Sequence, residues 1–244
     1  VQEQAGKEDQ GEIADCGWQS GDSKIGRRET QTGNFFMNMT FRFRWWWGLL
    51  ILGAGLLVLA SFYLDGATQA WISAHQSAGA KKFMRGVSQF GDWPEHISLG
   101  LVLLVLAYWR RSKKWMRIAA AMILACALAG AGARVVKIAV GRARPSVATE
   151  AAWKGPSLSA RYNAFPSGHT AASAAFFATL AWAGWRIGLG FLIIPLLVAF
   201  SRMYVAAHYL SDVVCAALLG VATACFVARW IPPPNRHPPS EIRD

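Results

Sequence analysis

Residues 45–64 read WWWGLLILGAGLLVLASFYL, and no Asp, Glu, Lys or Arg interrupts them. A bilayer core of about 30 Å is crossed by about 20 apolar residues rising about 1.5 Å each. In hydrocarbon the backbone must satisfy its own polar groups, which a helix does internally. The stretch therefore predicts a membrane-spanning helix, with tryptophans at the depth where indole favours the interface. Working outward along the chain, further apolar runs fall at 97–109, 117–137, 168–185, 188–205 and 210–230. The run at 97–109 is short unless it begins before Pro94. Residues 65–96 hold Trp71, Phe83, Phe90 and Trp93 among Lys81, Lys82 and Arg85, a mixture that reads as an amphipathic segment at the membrane surface. The expected fold class is all-α: an integral membrane bundle of six transmembrane helices within residues 45–230.

The two ends differ from this core. Residues 1–44 carry seven acids and six bases with no apolar run of signal-peptide length, and read as a disordered cytoplasmic tail. Residues 231–244 are Pro-rich and read as an unstructured tail.

Composition supports the membrane class. Of 244 residues 54% are hydrophobic and 16% charged, the reverse of a disordered chain. Four cysteines, Cys16, Cys126, Cys215 and Cys225, show neither a disulfide framework nor a zinc spacing. The net charge of +11 suits cytoplasmic loops better than nucleic acid, for which no role is expected. Arg110, Arg111, Lys113, Lys114 and Arg117 mark the loop after the second span as cytoplasmic, and Arg42, Arg44, Arg186 and Arg229 fall on the same side. Both termini are then cytoplasmic, and the loops after spans one, three and five face outward. Lys137, Arg142, Arg144 and Arg202 lie at outward ends, against the charge rule, and require another reason to be there. Spans three and four are rich in Ala and Gly, a signal for close helix packing.

Three clusters at those outward ends carry chemistry. Lys137-x6-Arg144-Pro145 ends the third span, and its two cations can converge on one anion, Arg as a planar fork and Lys as a point charge. Arg134 and Arg142 read equally well as flanking charges. Pro166-Ser167-Gly168-His169 opens the fourth span: Ser167 is a natural N-cap, Gly168 permits close backbone approach, and the free N–H groups of a helix start attract anions. Ser201-Arg202-x5-His208-x3-Asp212 joins spans five and six. His208 and Asp212 share one helix face, so Asp212 can accept the Nδ1 proton and leave Nε2 as a nucleophile. Taken singly, each cluster also has a bland reading: interfacial bases, a turn with its cap, a satisfied His–Asp pair. Their joint occurrence, in order and at same-side helix ends, favours a phosphate site.

The arrangement K-x6-R-P, P-S-G-H, S-R-x5-H-x3-D resembles the signature of the type 2 phosphatidic acid phosphatase family, which shares its site with vanadium haloperoxidases, bacterial acid phosphatases and glucose-6-phosphatase. Every motif position matches, over residues 137–212. The resemblance implies that His208 attacks phosphorus to form a phosphohistidine, oriented by Asp212. It implies that His169 protonates the leaving oxygen, and that Lys137, Arg144, Arg202, Ser167 and Gly168 hold the phosphate oxygens. No metal or other cofactor is then required. Outside the tails the acids are only Asp65, Asp92, Glu95, Glu150 and Asp212, thin for a magnesium cage. The expected protein is a lipid phosphate phosphatase of a bacterial inner membrane, with its site at the outer ends of spans three to six. Its substrate is undecaprenyl diphosphate, phosphatidylglycerol phosphate, phosphatidate or lipid A, and no obligate protein partner is inferred. Trp153, Lys154, Arg161 and Tyr162 are available in the loop for a headgroup. The rivals are a lipid phosphotransferase using the same site, a vanadium haloperoxidase and a non-catalytic lipid carrier.

Overall fold

The computed structural model describes residues 26–147, 149, 151–183 and 185–229, with side chains for 45–183 (less 148 and 150) and 188–229. It forms two compact units, 1–51 and 52–244. The first contributes the start of helix α1, Gly26–Ala74. That helix begins inside the segment expected as a disordered tail; residues 1–25 and the Pro-rich tail from 231 lie outside the described residues.

The second unit continues α1 and adds α2 (Ala78–Phe90), α3 (Trp93–Trp109), α4 (Lys113–Val140), α5 (Gly168–Ala183), α6 (Trp185–Gly190), α7 (Ile193–Tyr204) and α8 (Leu210–Ala228). Among the described residues there is no β-strand, only one isolated antiparallel bridge between Arg142 and Trp153. The all-helical expectation holds at this level, but the helices are not six equal rods. Trp45–Ala74, Lys113–Val140 and Leu210–Ala228 are long and apolar enough to cross a membrane, and α2 with α3 makes a fourth if the pair, bent by 51°, counts as one span. Helix α5 has 16 residues and α7 only 12. At about 1.5 Å per residue both fall short of a full hydrocarbon core. The fifth expected span is broken at Phe191 and Leu192 into α6 and α7. Gly188 and Gly190 weaken helix before the break, and Pro195 sits in the first turn of α7, where its missing N–H costs nothing.

Pro94 likewise falls in the first turn of α3, so that helix starts at Trp93, with Asp92 as its N-cap accepting from the Trp93 N–H at 2.9 Å. The amphipathic expectation for 65–96 is met by α2 alone; its neighbours on either side belong to α1 and α3.

The packing seam is built from small residues. Ala121, Ala125, Ala129 and Ala133 repeat every four residues along α4 and meet Ala171 and Ala175 of α5 and Ala216 and Val227 of α8. Gly220 on α8 approaches so closely that an added Cβ would lie 2.6 Å from the Ala171 carbonyl oxygen. In lipid, where apolar burial drives little, such close backbone approach supplies the packing. A second cluster joins Ile118, Met122 and Cys126 of α4 to Phe176 and Phe177 of α5, with Ile97 and Leu103 of α3 against it. Buried His96 binds α3 to α5 through Ser173 Oγ at 3.2 Å. The outer surface remains apolar: Leu56, Leu59, Leu101, Val102, Val105, Leu128, Leu196 and Phe226 are all exposed. An apolar belt of this extent belongs against lipid tails, which makes this a membrane protein.

Candidate active site

The loop between α4 and α5 holds the site together. Gly141 ends α4 in the left-handed region (φ 62°), where a Cβ would lie 1.9 Å from the Gly155 carbonyl oxygen, so no other residue fits this turn. The turn sends Arg142 inward. Its guanidinium donates to Asp212 Oδ1 at 2.6 Å and Ser211 Oγ at 2.7 Å through one nitrogen, and to Asp65 Oδ2 at 2.7 Å through the other. Its plane is covered by the Phe62, Trp153 and Tyr209 rings, with centroids 4.2–5.4 Å away. Asp65 also accepts from the Ser211 N–H at 2.8 Å and hydroxyl at 2.6 Å. Arg142 is therefore a buried clamp between α1 and the first turn of α8, and the reading of it as a flanking charge is corrected. A buried ion pair tolerates burial only when its remaining donors and acceptors are satisfied, as they are here.

His208 lies between α7 and α8 and is 1% exposed. Its Nδ1 faces the Ala164 carbonyl oxygen at 2.6 Å. A carbonyl only accepts, so Nδ1 carries the proton and Nε2 keeps its lone pair. Asp212 Oδ2 lies farther off, 3.6 Å from Nδ1. The Ala164 carbonyl is thus the nearer acceptor for the proton expected on Asp212, and Asp212 remains a second partner of the same ring. Asp212 Oδ1 is held by Arg142 and Oδ2 by the Tyr209 N–H at 2.8 Å, the reach of an N3 carboxylate back to its own helix cap. The Ala164 N–H in turn donates to the Arg142 carbonyl at 3.0 Å, so one short loop fixes both the histidine tautomer and the carboxylate clamp. Burial pushes the His208 imidazole down to about 4; Asp212 opposes the shift and Lys137 and Arg202 reinforce it. At neutral pH the ring is uncharged.

The first two sequence clusters line a cleft of about 560 Å³ through Lys137, Arg144, Gly168 and His169, with Asp92, Arg134 and Asn163 beside them, and the third adjoins them through the charges of Arg202 and His208. Lys137, in the last turn of α4, brings its Nζ to 3.9 Å from the position a Cβ on Gly168 would occupy, so Gly168 leaves room for an anion beside the ammonium. Arg202, in the last turn of α7, interacts electrostatically with Arg144 and Lys137 and donates to Ser88 Oγ of α2 at 2.5 Å. The Nε atoms of Arg144 and Arg202 are buried without a protein acceptor. Three cations held together with unpaired donors are costly unless an anion completes them. Ser167 is fully buried; its N–H donates to the Asp212 carbonyl at 3.1 Å and its hydroxyl accepts from Thr170 at 3.0 Å. The cap position is therefore occupied by a side chain tied to Thr170.

Residues 116–236 match the PAP2 superfamily, named for the type 2 phosphatidic acid phosphatases. The chain belongs to the PAP2 superfamily. With the family comes the reaction class: it is a phosphoric ester hydrolase. A lipid A 1-phosphatase of Rhizobium etli is 27% identical over 191 residues, which cover 72% of this chain and 80% of that one. A second lipid A 1-phosphatase, of Rhizobium johnstonii, is 32% identical over 109 residues, 42% of this chain and 43% of that one. The PAP2-type phosphatidylglycerolphosphate phosphatase of Bacillus subtilis superposes with a TM-score of 0.58 at 20% identity over 74% of this chain and 93% of that one, a likeness of fold.

Against this PAP2 frame, the residues that sequence reading missed are Arg142, Asp65, Asp92, Arg134 and Asn163. Opposite charges at membrane depth signal pairing, and Asp65 with Arg142 is such a pair; the sequence shows both but not that they meet. Of the four loop residues offered for a headgroup, none lines the cleft. Trp153 covers Arg142, and Lys154 Nζ lies over the Tyr162 ring at 5.1 Å.

Proposed function

We propose that this PAP2 enzyme hydrolyses a lipid phosphate through a phosphohistidine on His208, without a metal. The observation that carries the reading is the environment of His208: its Nδ1 proton is held by Ala164, its ring is neutral, and it interacts with Lys137 and Arg202 of the cation cluster. Phosphoryl transfer asks mainly for positioning and charge stabilisation. Lys137, Arg144 and Arg202 would take the non-bridging oxygens together with the Gly168 N–H. Ser167 Oγ, bound to Thr170, would shape the helix start. His208 Nε2 would attack phosphorus while Asp212, anchored by Arg142, holds the first turn of α8 in place. His169 would protonate the leaving oxygen and then take a proton from the water that attacks the phosphohistidine.

The cleft also supports a lipid substrate. Beyond its cations it continues over Ile97, Cys126, Ala127, Gly130 and Ala131, an apolar lining suited to a lipid chain. The names of the two Rhizobium relatives put the 1-phosphate of lipid A first among substrates. Phosphatidylglycerol phosphate, phosphatidate and undecaprenyl diphosphate follow. In the same reading α1, α3, α4, α5, α7 and α8 are the six crossings. Both termini face the cytoplasm and the site faces the outside of a bacterial inner membrane.

The test is phosphate release from that panel by the full chain purified in detergent, with and without EDTA. Release from at least one lipid, unchanged by EDTA and abolished in His208→Ala, supports the proposal. An alkaline quench of labelled substrate should trap label on the wild-type chain and none on the variant. Activity that disappears in EDTA and returns with Mg²⁺ would show that the cation cluster is not self-sufficient. Substrate consumed without matching free phosphate would redirect the reading to a phosphotransferase.

A further inference from the structure

His169 stands in a field of like charge. Arg202 of α7, Lys137 of α4 and His208 before α8 all act on it, and Arg134 and Arg144 line the same cleft. Burial first, and then the Arg202 and Lys137 charges, oppose a proton on the imidazole. A general acid must nevertheless carry one when the substrate is bound. The acid that acts on this ring, among the described residues, is Asp92 at the α2–α3 corner: its Oδ1 lies 3.7 Å from His169 Nε2. The same oxygen caps α3 through the Trp93 N–H, so the carboxylate is fixed by a helix start and aimed at the cleft it lines.

We propose that Asp92 is a positioning residue for His169, its carboxylate facing Nε2 at ion-pair distance so that Nδ1 delivers a proton to the leaving group. This rests on the phosphatase reading above. As the bond from His208 Nε2 to phosphorus forms and the bond from phosphorus to the lipid oxygen breaks, that oxygen takes the Nδ1 proton. His169 is left neutral, its remaining proton on Nε2 toward Asp92. In the second step water gives a proton to Nδ1 as its oxygen attacks phosphorus; the P–N bond breaks and inorganic phosphate leaves. No further reactant is needed. The site then contains two histidines set to opposite tasks: His208 bound to a carbonyl, and His169 with one carboxylate beside it to favour its proton against burial and the neighbouring cations.

Asp92→Asn separates this role from the structural one, because Asn caps a helix as well as Asp does and only the charge is removed. Three readouts apply to the full chain in detergent. With a lipid alkyl phosphate, whose leaving oxygen needs a proton, kcat should fall on the order of tenfold, a part of the ~10²–10⁴ that a general acid supplies in full. With p-nitrophenyl phosphate, whose leaving group needs little protonation, the loss should be smaller. The alkaline limb of kcat should move to lower pH. Histidine-selective ¹⁵N NMR, with His169 assigned by its absence in His169→Ala, should show that ring titrating at lower pH in Asp92→Asn than in wild type. Equal losses on both substrates, with limb and resonance unmoved, overturn the proposal while leaving the phosphatase reading intact. Should His208→Ala retain turnover, the phosphatase reading fails instead, and the NMR titration still decides whether Asp92 governs His169.

Discussion

His208 shows how much a single contact decides. A histidine free in water titrates near ~6.5; this one is pushed by burial to about 4. Its neutral form attacks, so the acid limb of kcat/KM should lie well below pH 6.5, and a profile from pH 4 to 9 on the best lipid substrate checks it. Stability follows the same linkage. Between the two values the unfolded chain binds the proton that the folded chain refuses, so this contribution is complete above about 6.5 and lost as pH falls toward about 4. An acid limb at 6.5 that disappears only with His208 would contradict the burial argument. Arg142 is the second residue whose environment fixes a prediction. Arg142→Met leaves Asp65 and Asp212 facing each other in a nearly dry site, and breaking a buried pair from one side costs about 3–5 kcal/mol. Thermal melting followed by tryptophan fluorescence should fall sharply, and Arg142→Met with Asp65→Asn should recover part of the loss. The motifs made His208, His169 and the three motif cations legible in the sequence because those residues recur at fixed short spacings. Arg142 and Asp65 lie 77 positions apart, and nothing local to either announces the other. Asp92 stands in the sequence only as one of the few acids outside the tails; its neighbour His169 becomes visible only when α3 packs on α5.

At the scale of the element, the active site depends on how closely α5 and α8 approach. The Ser167 N–H reaches the Asp212 carbonyl across that junction, and Gly220 lies farther down the same contact. Gly220→Val should therefore force the helices apart, cost about 1–3 kcal/mol as overpacking does, and lower turnover because the Ser167–Asp212 link sits on the same pair of helices. Gly132→Ala is the control: a Cβ there meets nothing within 4 Å, and Ala gains about 1 kcal/mol of helix propensity over Gly. Melting temperature and kcat of the two variants, measured together, separate close approach from glycine content. The Ala stripes on α4 and α5 announced this packing in the sequence. The participation of α8 through Ala216 and Gly220 did not stand out, since the same helix carries enough Val and Leu to read as an ordinary span. Helix lengths were legible only to within a few residues. Asp65, charged and expected to follow the first span, lies inside a helix that runs on to Ala74, because its charge is spent on Arg142.

At the scale of the whole molecule the open question is sidedness, and the site itself bears on it. Lys137 ends α4, His169 begins α5, Arg202 ends α7 and His208 precedes α8. Chain direction alternates between consecutive crossings, so residues at the end of one helix and the start of the next share a side. In the proposed topology the excess of Arg and Lys in 110–117 puts the opposite side in the cytoplasm, since short loops rich in these bases stay inside. Four of the cations that break the rule have other work: Lys137 and Arg144 line the cleft, Arg202 acts on both, and Arg142 is the carboxylate clamp. Lys81, Lys82, Arg85, Lys154 and Arg161 remain on the outward side, so the charge argument rests on the dense run at 110–117. Reporter fusions after Trp109 and after Arg229 should then read cytoplasmic, and a fusion within 146–165 should read external. The fusion after Arg229 discriminates best. The lengths of α5 and α7, 16 and 12 residues, leave open by length alone that either turns back without crossing. If one does, the C-terminal reporter changes side while the one after Trp109 does not. A cytoplasmic signal at both, with an external loop between, requires that both short helices cross or that neither does; a further reporter between α5 and α7 separates the two, reading cytoplasmic only if both cross, with the bilayer thinned or the helix ends capped by polar residues at the site. An external signal after Arg229 would dismantle the six-crossing topology and, with it, the assignment of the phosphate cleft to the outer face.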